Sequence, residues 1–191
     1  MFHTDAIVLN TKDFGEHDQL VSLYTKEFGK LRAKARSSKK ATSKQANFLH
    51  IPSVISCSLV LGRQGYILSG IINKTTYGKI FSDLFALGYV LSFFNLVDSV
   101  IFDNQKDDKV WNLLKRALHD TQSLVGKNNK NNLWNREKEW ILQLLEVLGL
   151  GERIGAIPNK IHNQKQFDDY IKHVLENKLE QKVEFFGLNI K

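Results

Sequence analysis

Hydrophobic and polar positions follow two different patterns along the chain, and the first pattern indicates strands. Up to about residue 75, β-branched and aromatic residues gather in short runs that are separated by glycine-containing turns. Runs of this kind are typical of strands. Such runs predict strands over residues 6–9, 20–25, 54–61 and 66–72, and a strict alternation of basic and apolar residues predicts a further strand over residues 30–36. Five strands in so short a segment, with one long loop before the fourth, predict a small closed barrel.

The second pattern begins at Tyr77, where apolar residues recur at steps of three and four and therefore predict helices. The first of these helices lies between Asp83 and Asp98, a stretch of fourteen uncharged residues. A membrane span needs about 20 apolar residues, so we expect a buried helix of a soluble, cytoplasmic protein. Three further helices are predicted around Trp111, Trp140 and Ile171.

The change of pattern predicts two domains, residues 1–75 and residues 76–191, and the charge divides at the same place. The whole chain has a formal net charge of +7. Residues 1–75 carry 11 basic and 5 acidic side chains, whereas residues 76–191 carry 16 and 15. The first domain is therefore expected to meet an anionic partner, and the second domain is close to neutral.

Basic residues concentrate in the third predicted strand and in the loop that follows it. From residue 30 to residue 36 the sequence K-L-R-A-K-A-R alternates strictly between basic and apolar side chains. Successive side chains of a strand point to opposite faces, so one face becomes a basic row. The candidate phosphate-binding residues of the row and loop are Lys30, Arg32, Lys34, Arg36, Lys39, Lys40 and Lys44. The alternative is a solvated basic surface without a ligand.

An aromatic ring beside the basic row would add base stacking to phosphate contacts. The best candidate is Tyr66, which follows the glycine-containing turn of residues 62–65. Arg63 in that turn is a further candidate for contacting nucleic acid. Four other aromatic residues are also stacking candidates, although each suits a buried core position better: Phe14, Tyr24, Phe28 and Phe48.

The sequence offers no set of residues for catalysis or for a metal cofactor. Cys57 is the only cysteine, so neither an intramolecular disulfide nor a zinc site of several cysteines can form. The six histidines show none of the spacings of metal-binding motifs. Glu16 and Asp18 lie on a predicted turn, where carboxylates commonly accept hydrogen bonds from backbone amides. We therefore expect a protein that is not an enzyme and that uses no cofactor.

Several motifs of the first domain match one known family. The segment AIVLNTKDFGEHDQLVSLYTKEFGKLRAKARSSKKATSK opens with an apolar strand and contains a G-E-x-D turn and a T-x-x-x-G-x-L segment. The fixed positions of these two motifs are Gly15, Glu16, Asp18, Thr25, Gly29 and Leu31. The turn of residues 62–65 and the later segment WILQLLEVLGLG also match. Together these motifs resemble those of the recombination mediator protein RecO family.

This resemblance implies an α+β protein in which an N-terminal OB-fold β-barrel is followed by an all-α helical domain. It also implies a nucleoid-associated protein of DNA repair that binds single- and double-stranded DNA and anneals complementary strands. The implied protein partners are RecR and the C-terminal tail of single-strand-binding protein. With RecR, such a protein helps RecA to load at gaps that are covered by single-strand-binding protein. Many family members place four zinc-binding cysteines after the L-G-L segment. Because those cysteines are absent here, zinc is not expected.

A partner-binding groove in the second domain is a further expectation from the resemblance. The tail of single-strand-binding protein is acidic and hydrophobic, so it needs a hydrophobic pocket beside a cation. Arg136 or Lys138, next to Trp140, would supply both. The alternative is an ordinary packed helical bundle. For the chain as a whole, the alternative function is a non-enzymatic protein–protein adaptor or an RNA-binding OB-fold module.

Overall fold

Five strands close into a barrel in the first part of the chain. The strands are β1 (Phe2–Phe14), β2 (Asp18–Thr25), β3 (Gly29–Ala35), β4 (Ser53–Gly62) and β5 (Gly65–Thr76). Their order around the barrel is β1-β2-β3-β5-β4, and the pairing of β1 with β4 closes it. Neighbouring strands are antiparallel except for β3 and β5, which run parallel. The closed barrel predicted from the strand pattern is confirmed.

The chain forms two units, and the barrel unit is not continuous in sequence. The computed structural model describes residues 1–40, 43, 48–126, 130–150 and 163–179. The barrel unit combines Met1–Gly78 with Ile101–Leu114, and the helical unit combines Lys79–Val100 with Lys115–Lys191. A segment from the middle of the chain therefore belongs to the barrel unit, which the strand pattern does not indicate.

The barrel interior is filled by the apolar residues that alternate with outward-facing polar ones. On β3, Leu31, Ala33 and Ala35 point inward and are at most 1% exposed, whereas Arg32 between them is exposed. The other interior residues come from the remaining strands and from the loop before β4: Ala6, Val8, Val21, Leu23, Leu49, Ile55, Cys57, Leu59 and Leu68. The inward alanines of β3 leave room for the larger side chains of the other strands.

A tight turn joins β2 to β3, and Thr25 and Gly29 determine its shape. The Thr25 hydroxyl donates a hydrogen bond to the Gly29 carbonyl oxygen (2.9 Å) and accepts one from the Phe28 amide (3.0 Å). Gly29 has a φ of +71°, a left-handed conformation that is costly for residues with a Cβ. A Cβ at this position would also lie 2.2 Å from the carbonyl oxygen of Gln105. The turn therefore requires glycine for two separate reasons.

The described part of the chain after the barrel is mainly helical. Its helices are α1 (Gly78–Phe81), α2 (Leu84–Val100), α3 (Asp108–Leu124), α4 (Lys130–Val147) and α5 (Gln164–Leu179). Asp83, Asp107 and Asn163 precede α2, α3 and α5, and their side chains accept backbone hydrogen bonds of 2.7 to 3.1 Å from the first turns. Such caps satisfy amides that have no partner within the helix. A barrel followed by helices confirms the predicted α+β class.

Trp140 on α4 lies in the core of the helical unit. Its side chain is 1% exposed, and its ring centroid is 5.6 Å from that of Phe93 on α2. Glu137, about one turn earlier on α4, is also buried. Burial raises the pKa of its carboxyl group to about 8, and a hydrogen bond with Ser92 partly opposes this increase. Among the helices that the structure describes, none is long and apolar enough to cross a membrane.

Candidate nucleic-acid interface

The outer face of β3 carries the predicted basic row, which has a covered end and an open end. Lys30 lies at the covered end, where it is 3% exposed. Its ammonium group is 3.4 Å from a carboxylate oxygen of Asp103, and its carbonyl oxygen accepts a hydrogen bond from the Asn104 amide (2.6 Å). Asp103 and Asn104 belong to the segment that joins the barrel unit from the middle of the chain. Lys30 therefore has a packed, ion-paired environment.

Tyr24 on β2 lies opposite Lys30 and is covered by the same segment. It is 1% exposed, and its hydroxyl donates a hydrogen bond to the Asp107 carbonyl oxygen and accepts one from the Asp107 amide, both at 3.0 Å. Burial raises the pKa of Tyr24 to about 12. Both hydrogen-bonding functions of the hydroxyl are thus used within the barrel unit, and the ring is not presented to solvent.

The open end of the row begins two residues further along β3. Arg32 and Lys34 lie opposite Ser22 and Leu20 of β2, and Arg36 follows directly after the strand. Arg32 and Arg36 are exposed, and the side chain of Lys34 is 33% exposed. Three of the four residues of the predicted row therefore reach solvent on one side of the barrel.

Lys34 is held in place by two neighbours. Its ammonium group lies 2.8 Å from a carboxylate oxygen of Asp18 and 4.6 Å from the centroid of the Phe14 ring. Asp18 also accepts a hydrogen bond from the Ser37 amide (2.8 Å). The hydrogen bonds from Lys34 and Ser37 lower the pKa of Asp18. The carboxylate therefore stays ionised at neutral pH and fixes both β3 and the start of the following loop.

The first part of the basic loop lies against the turn between β1 and β2. The Lys39 amide donates a hydrogen bond to the His17 carbonyl oxygen (3.0 Å), and the Lys39 ammonium group is 2.6 Å from a carboxylate oxygen of Asp13. Lys40 is exposed. The structure thus places Lys39 and Lys40 near the open end of β3. The predicted site residue Lys44 lies outside the described residues.

Arg63 and Tyr66 lie at a different turn, which joins β4 to β5. Arg63 is exposed. Tyr66 is aligned with Ala33 of β3 in the parallel pairing and with Leu61 of β4 in the antiparallel pairing. Its ring is partly buried against the barrel core. Tyr66 is therefore adjacent to the basic strand, but much of its ring is used in packing.

Phe14 is the most exposed of the aromatic residues considered for base stacking. It ends β1 and is 49% exposed, whereas Phe28 and Tyr66 pack partly against the core and Phe48 is half-buried. The sequence favoured Tyr66 because an arginine-containing turn precedes it. The sequence signal for Phe14 is its position directly before the turn at Gly15. A side chain at the end of a strand has fewer neighbours than one in the middle, so its exposure to solvent could have been expected.

The three residues predicted to bind a protein partner differ in their surroundings on α4. Arg136 is exposed, and its guanidinium group lies 2.7 Å from a carboxylate oxygen of Glu139. The ammonium group of Lys138 lies 4.4 Å from the centroid of the Trp134 ring. Trp140 is buried in the helical core. Lys138 therefore already lies beside an aromatic ring, but that ring belongs to Trp134 instead of Trp140.

The described residues include no cluster that suggests metal binding or covalent catalysis. No group of three or more His, Cys, Asp or Glu side chains in this part of the chain is arranged to hold a metal ion. Cys57 is buried, and burial raises the pKa of its thiol to about 12. A thiol with so high a pKa carries almost no thiolate, the reactive form, at neutral pH.

The strand order and the basic outer face define an oligonucleotide/oligosaccharide-binding barrel, or OB-fold. Barrels of this class bind their ligands on the face of β2 and β3 and on the loops that join β1 to β2 and β4 to β5. Residues 1–74 match the family model described as "Recombination protein O N terminal". The first 74 residues of the chain therefore match the N-terminal domain of the RecO family, as its motifs predicted.

Similar curated proteins carry the name "DNA repair protein RecO". The one from Alkaliphilus metalliredigens is 27% identical over 150 residues, which cover 78% of this chain and 59% of the relative. The one from Symbiobacterium thermophilum is 27% identical over 119 residues (62% and 47%), and that from Bacillus mycoides is 30% identical over 121 residues (60% and 46%). The chain thus spans about half the length of the curated relatives it matches.

Proposed function

We propose that this chain is a DNA-binding and strand-annealing recombination mediator that acts in DNA repair. The observation that carries the proposal is the open end of β3, where Arg32 and Arg36 are exposed beside Lys34, on the face that OB-folds use for oligonucleotides. Lys39 and Lys40 extend this basic surface over the β1–β2 turn. The relatives carry the name "DNA repair protein RecO", which supports the same role.

The basic surface suits phosphate contacts that do not depend on base sequence. Lys and Arg side chains displace condensed counterions from the DNA backbone, so affinity falls as salt rises. Lys30 is ion-paired under the covering segment, and Lys34 and Lys39 each have a carboxylate partner. We therefore expect three to four phosphates to be neutralised, which corresponds to a slope of log affinity against log salt of roughly −2 to −3 for single strands.

Charge reversal at the open end tests the DNA-binding part of the proposal. Arg32→Glu combined with Arg36→Glu should weaken binding of single strands at least about tenfold at ~0.1 M salt, and it should reduce the salt slope by about 1 to 1.5. The loss should be the same for different base sequences, because phosphate contacts carry no sequence information. Fluorescence anisotropy of labelled oligonucleotides over a salt series measures both quantities.

The matched control is Arg136→Glu, which reverses an exposed, ion-paired arginine of the helical unit. It should leave DNA affinity within about twofold, because Arg136 is not part of the basic surface of β3 and its loop to which the phosphate contacts are assigned. A salt slope near zero in the unaltered chain would refute DNA binding through this surface. Equal losses of DNA affinity in the Arg32→Glu/Arg36→Glu variant and in the Arg136→Glu control would refute the assignment of DNA binding to β3.

Strand annealing distinguishes a mediator from a DNA- or RNA-binding adaptor. A mediator should accelerate the pairing of complementary oligonucleotides, including strands already covered by single-strand-binding protein, whereas an adaptor should bind without annealing. In the proposed role, RecR and the C-terminal tail of single-strand-binding protein are the protein partners, and RecA is loaded indirectly. The chain itself would act without a catalytic site. An annealing assay with and without single-strand-binding protein decides between the two functions.

A further inference from the structure

Phe14 lies at the tip of the β1–β2 hairpin with about half of its side chain exposed. It is the last residue of β1 and pairs with Asp18, the first residue of β2. Its side chain is 49% exposed. The Lys34 ammonium group lies 4.6 Å from the ring centroid, which is within the range of a cation–π contact. An aromatic ring in contact with water therefore lies directly beside the open basic end of β3.

The backbone on both sides of this ring is tied to basic residues. Asp18, the strand partner of Phe14, is ion-paired with Lys34 at 2.8 Å and accepts the Ser37 amide at 2.8 Å. Asp13, the preceding residue, is ion-paired with Lys39 at 2.6 Å. The hairpin tip is thus attached to β3 and to the loop that follows it. A ligand that contacts the ring would find it already positioned, so binding would lose little conformational entropy.

We propose that Phe14 stacks on an unpaired nucleobase and so makes the barrel favour single strands over duplex DNA. The inference rests on the proposed DNA-binding function and assigns a specificity-determining residue to it. Lys34 covers one face of the ring, and the other face accepts the base while Arg32 and Arg36 contact the adjacent phosphates. A base stacks on an aromatic ring whatever its identity. In a duplex the bases already stack on one another, so the ring gains no partner.

The test combines two protein forms with three ligands. The unaltered chain and Phe14→Ala are titrated with a single-stranded thymidine oligonucleotide, with an abasic oligonucleotide of the same length, and with a duplex. Phe14→Ala should lose roughly 5- to 150-fold in affinity for the thymidine strand, the range measured for one stacked base. Its affinity for the abasic strand and the duplex should change by less than about twofold, because the phosphate contacts remain. The salt slope should also be unchanged.

Two variants separate stacking from a structural role. Phe14→Trp keeps an aromatic ring, so it should retain single-strand affinity, and its added tryptophan fluorescence should be quenched by the thymidine strand. Phe102→Ala removes an aromatic ring that is 59% exposed elsewhere in the barrel unit, and it should leave all three affinities unchanged. Thermal melting checks that both alanine variants are folded.

Each remaining outcome counts against a defined part of the proposal. An equal loss by Phe14→Ala on the thymidine strand, the abasic strand and the duplex would overturn stacking and leave Phe14 a structural residue of the hairpin. If Phe14→Ala bound the thymidine strand as tightly as the unaltered chain, the Phe14 ring would have no role in DNA binding. The proposed DNA-binding function would be unaffected by that result. Failure of the unaltered chain to bind any of the three ligands would overturn the proposed function, and this inference with it.

Discussion

Replacing Gly29 by alanine tests the contact through which the middle segment covers one end of the basic row. An alanine Cβ at this position would lie 2.2 Å from the Gln105 carbonyl oxygen and 2.6 Å from the Lys106 amide nitrogen. These are backbone atoms, so they cannot rotate away as the end of a long side chain can. We expect Gly29→Ala to displace the segment of residues 101–107 from the β2–β3 turn.

The expected loss of stability has two parts. The left-handed backbone at Gly29, with a φ of +71°, costs a residue with a Cβ roughly 1–2 kcal/mol. Displacing the segment also breaks the hydrogen bond from the Asn104 amide and the two hydrogen bonds of the Tyr24 hydroxyl. Each of these contributes about 1 kcal/mol net. The free energy of unfolding should therefore fall by roughly 4–5 kcal/mol.

Gly15→Ala is the matched control, because Gly15 has a φ of +72° but its Cβ would have no heavy atom within 4 Å. This variant should lose only the conformational part, roughly 1–2 kcal/mol. Urea unfolding gives both free energies, and hydrogen exchange of the Asn104 amide reports whether the segment has moved. Equal destabilisation of the two variants, with the Asn104 amide equally protected, would refute the reasoning.

Two further predictions concern the helical unit. Burial raises the pKa of Glu137 to about 8 from 4.5. Between pH 4.5 and pH 8, the Glu137 carboxyl group is therefore protonated in the folded state but not in the unfolded state. The free energy of unfolding consequently falls as the pH rises through this range. Glu137→Gln should remove this pH-dependent loss of stability and stabilise the protein at pH 8 by roughly 2–5 kcal/mol. The control Glu139→Gln changes an exposed residue and should alter stability by less than about 1 kcal/mol. If Glu137→Gln showed the same pH dependence of stability as the unaltered chain in urea unfolding, the prediction would be contradicted. A peptide with the acidic, hydrophobic tail of single-strand-binding protein should bind the chain, and Lys138→Glu should weaken it at least about fivefold in anisotropy titrations. Unchanged peptide binding by that variant would contradict the role of Lys138.

The barrel could be predicted from the sequence because strand alternation is a local property. In K-L-R-A-K-A-R the apolar positions Leu31, Ala33 and Ala35 turned out to be buried, and the basic positions Arg32 and Lys34 face outward. Side-chain direction in a strand depends only on the parity of the position. The number of strands could also be predicted locally, since turns bound four runs rich in β-branched or aromatic residues and one segment of strict alternation.

The covered end of the basic row could not be predicted in the same way, because its cover comes from a distant part of the chain. Tyr24 and Asp107, which hydrogen-bond twice, are 83 residues apart. Nothing in the alternation of β3 distinguishes Lys30 from Arg32, yet Lys30 is 3% exposed and Arg32 is exposed. Trp140 on α4 shows the same limit. The apolar period around it predicted a helix, but the burial of Trp140 depends on packing against Phe93 of α2.

The motif residues behind the family resemblance serve mainly to build the barrel. Thr25 and Gly29 shape the β2–β3 turn, and Leu31 fills the interior. Asp18 ties Lys34 to the Ser37 amide. Arg32, which faces solvent and is not a fixed position of those motifs, is a candidate for the DNA contact itself. Substitutions at Thr25, Gly29, Leu31 or Asp18 should therefore lower stability and DNA binding together, whereas substitution of Arg32 should lower DNA binding alone, because its side chain is outside the packed interior.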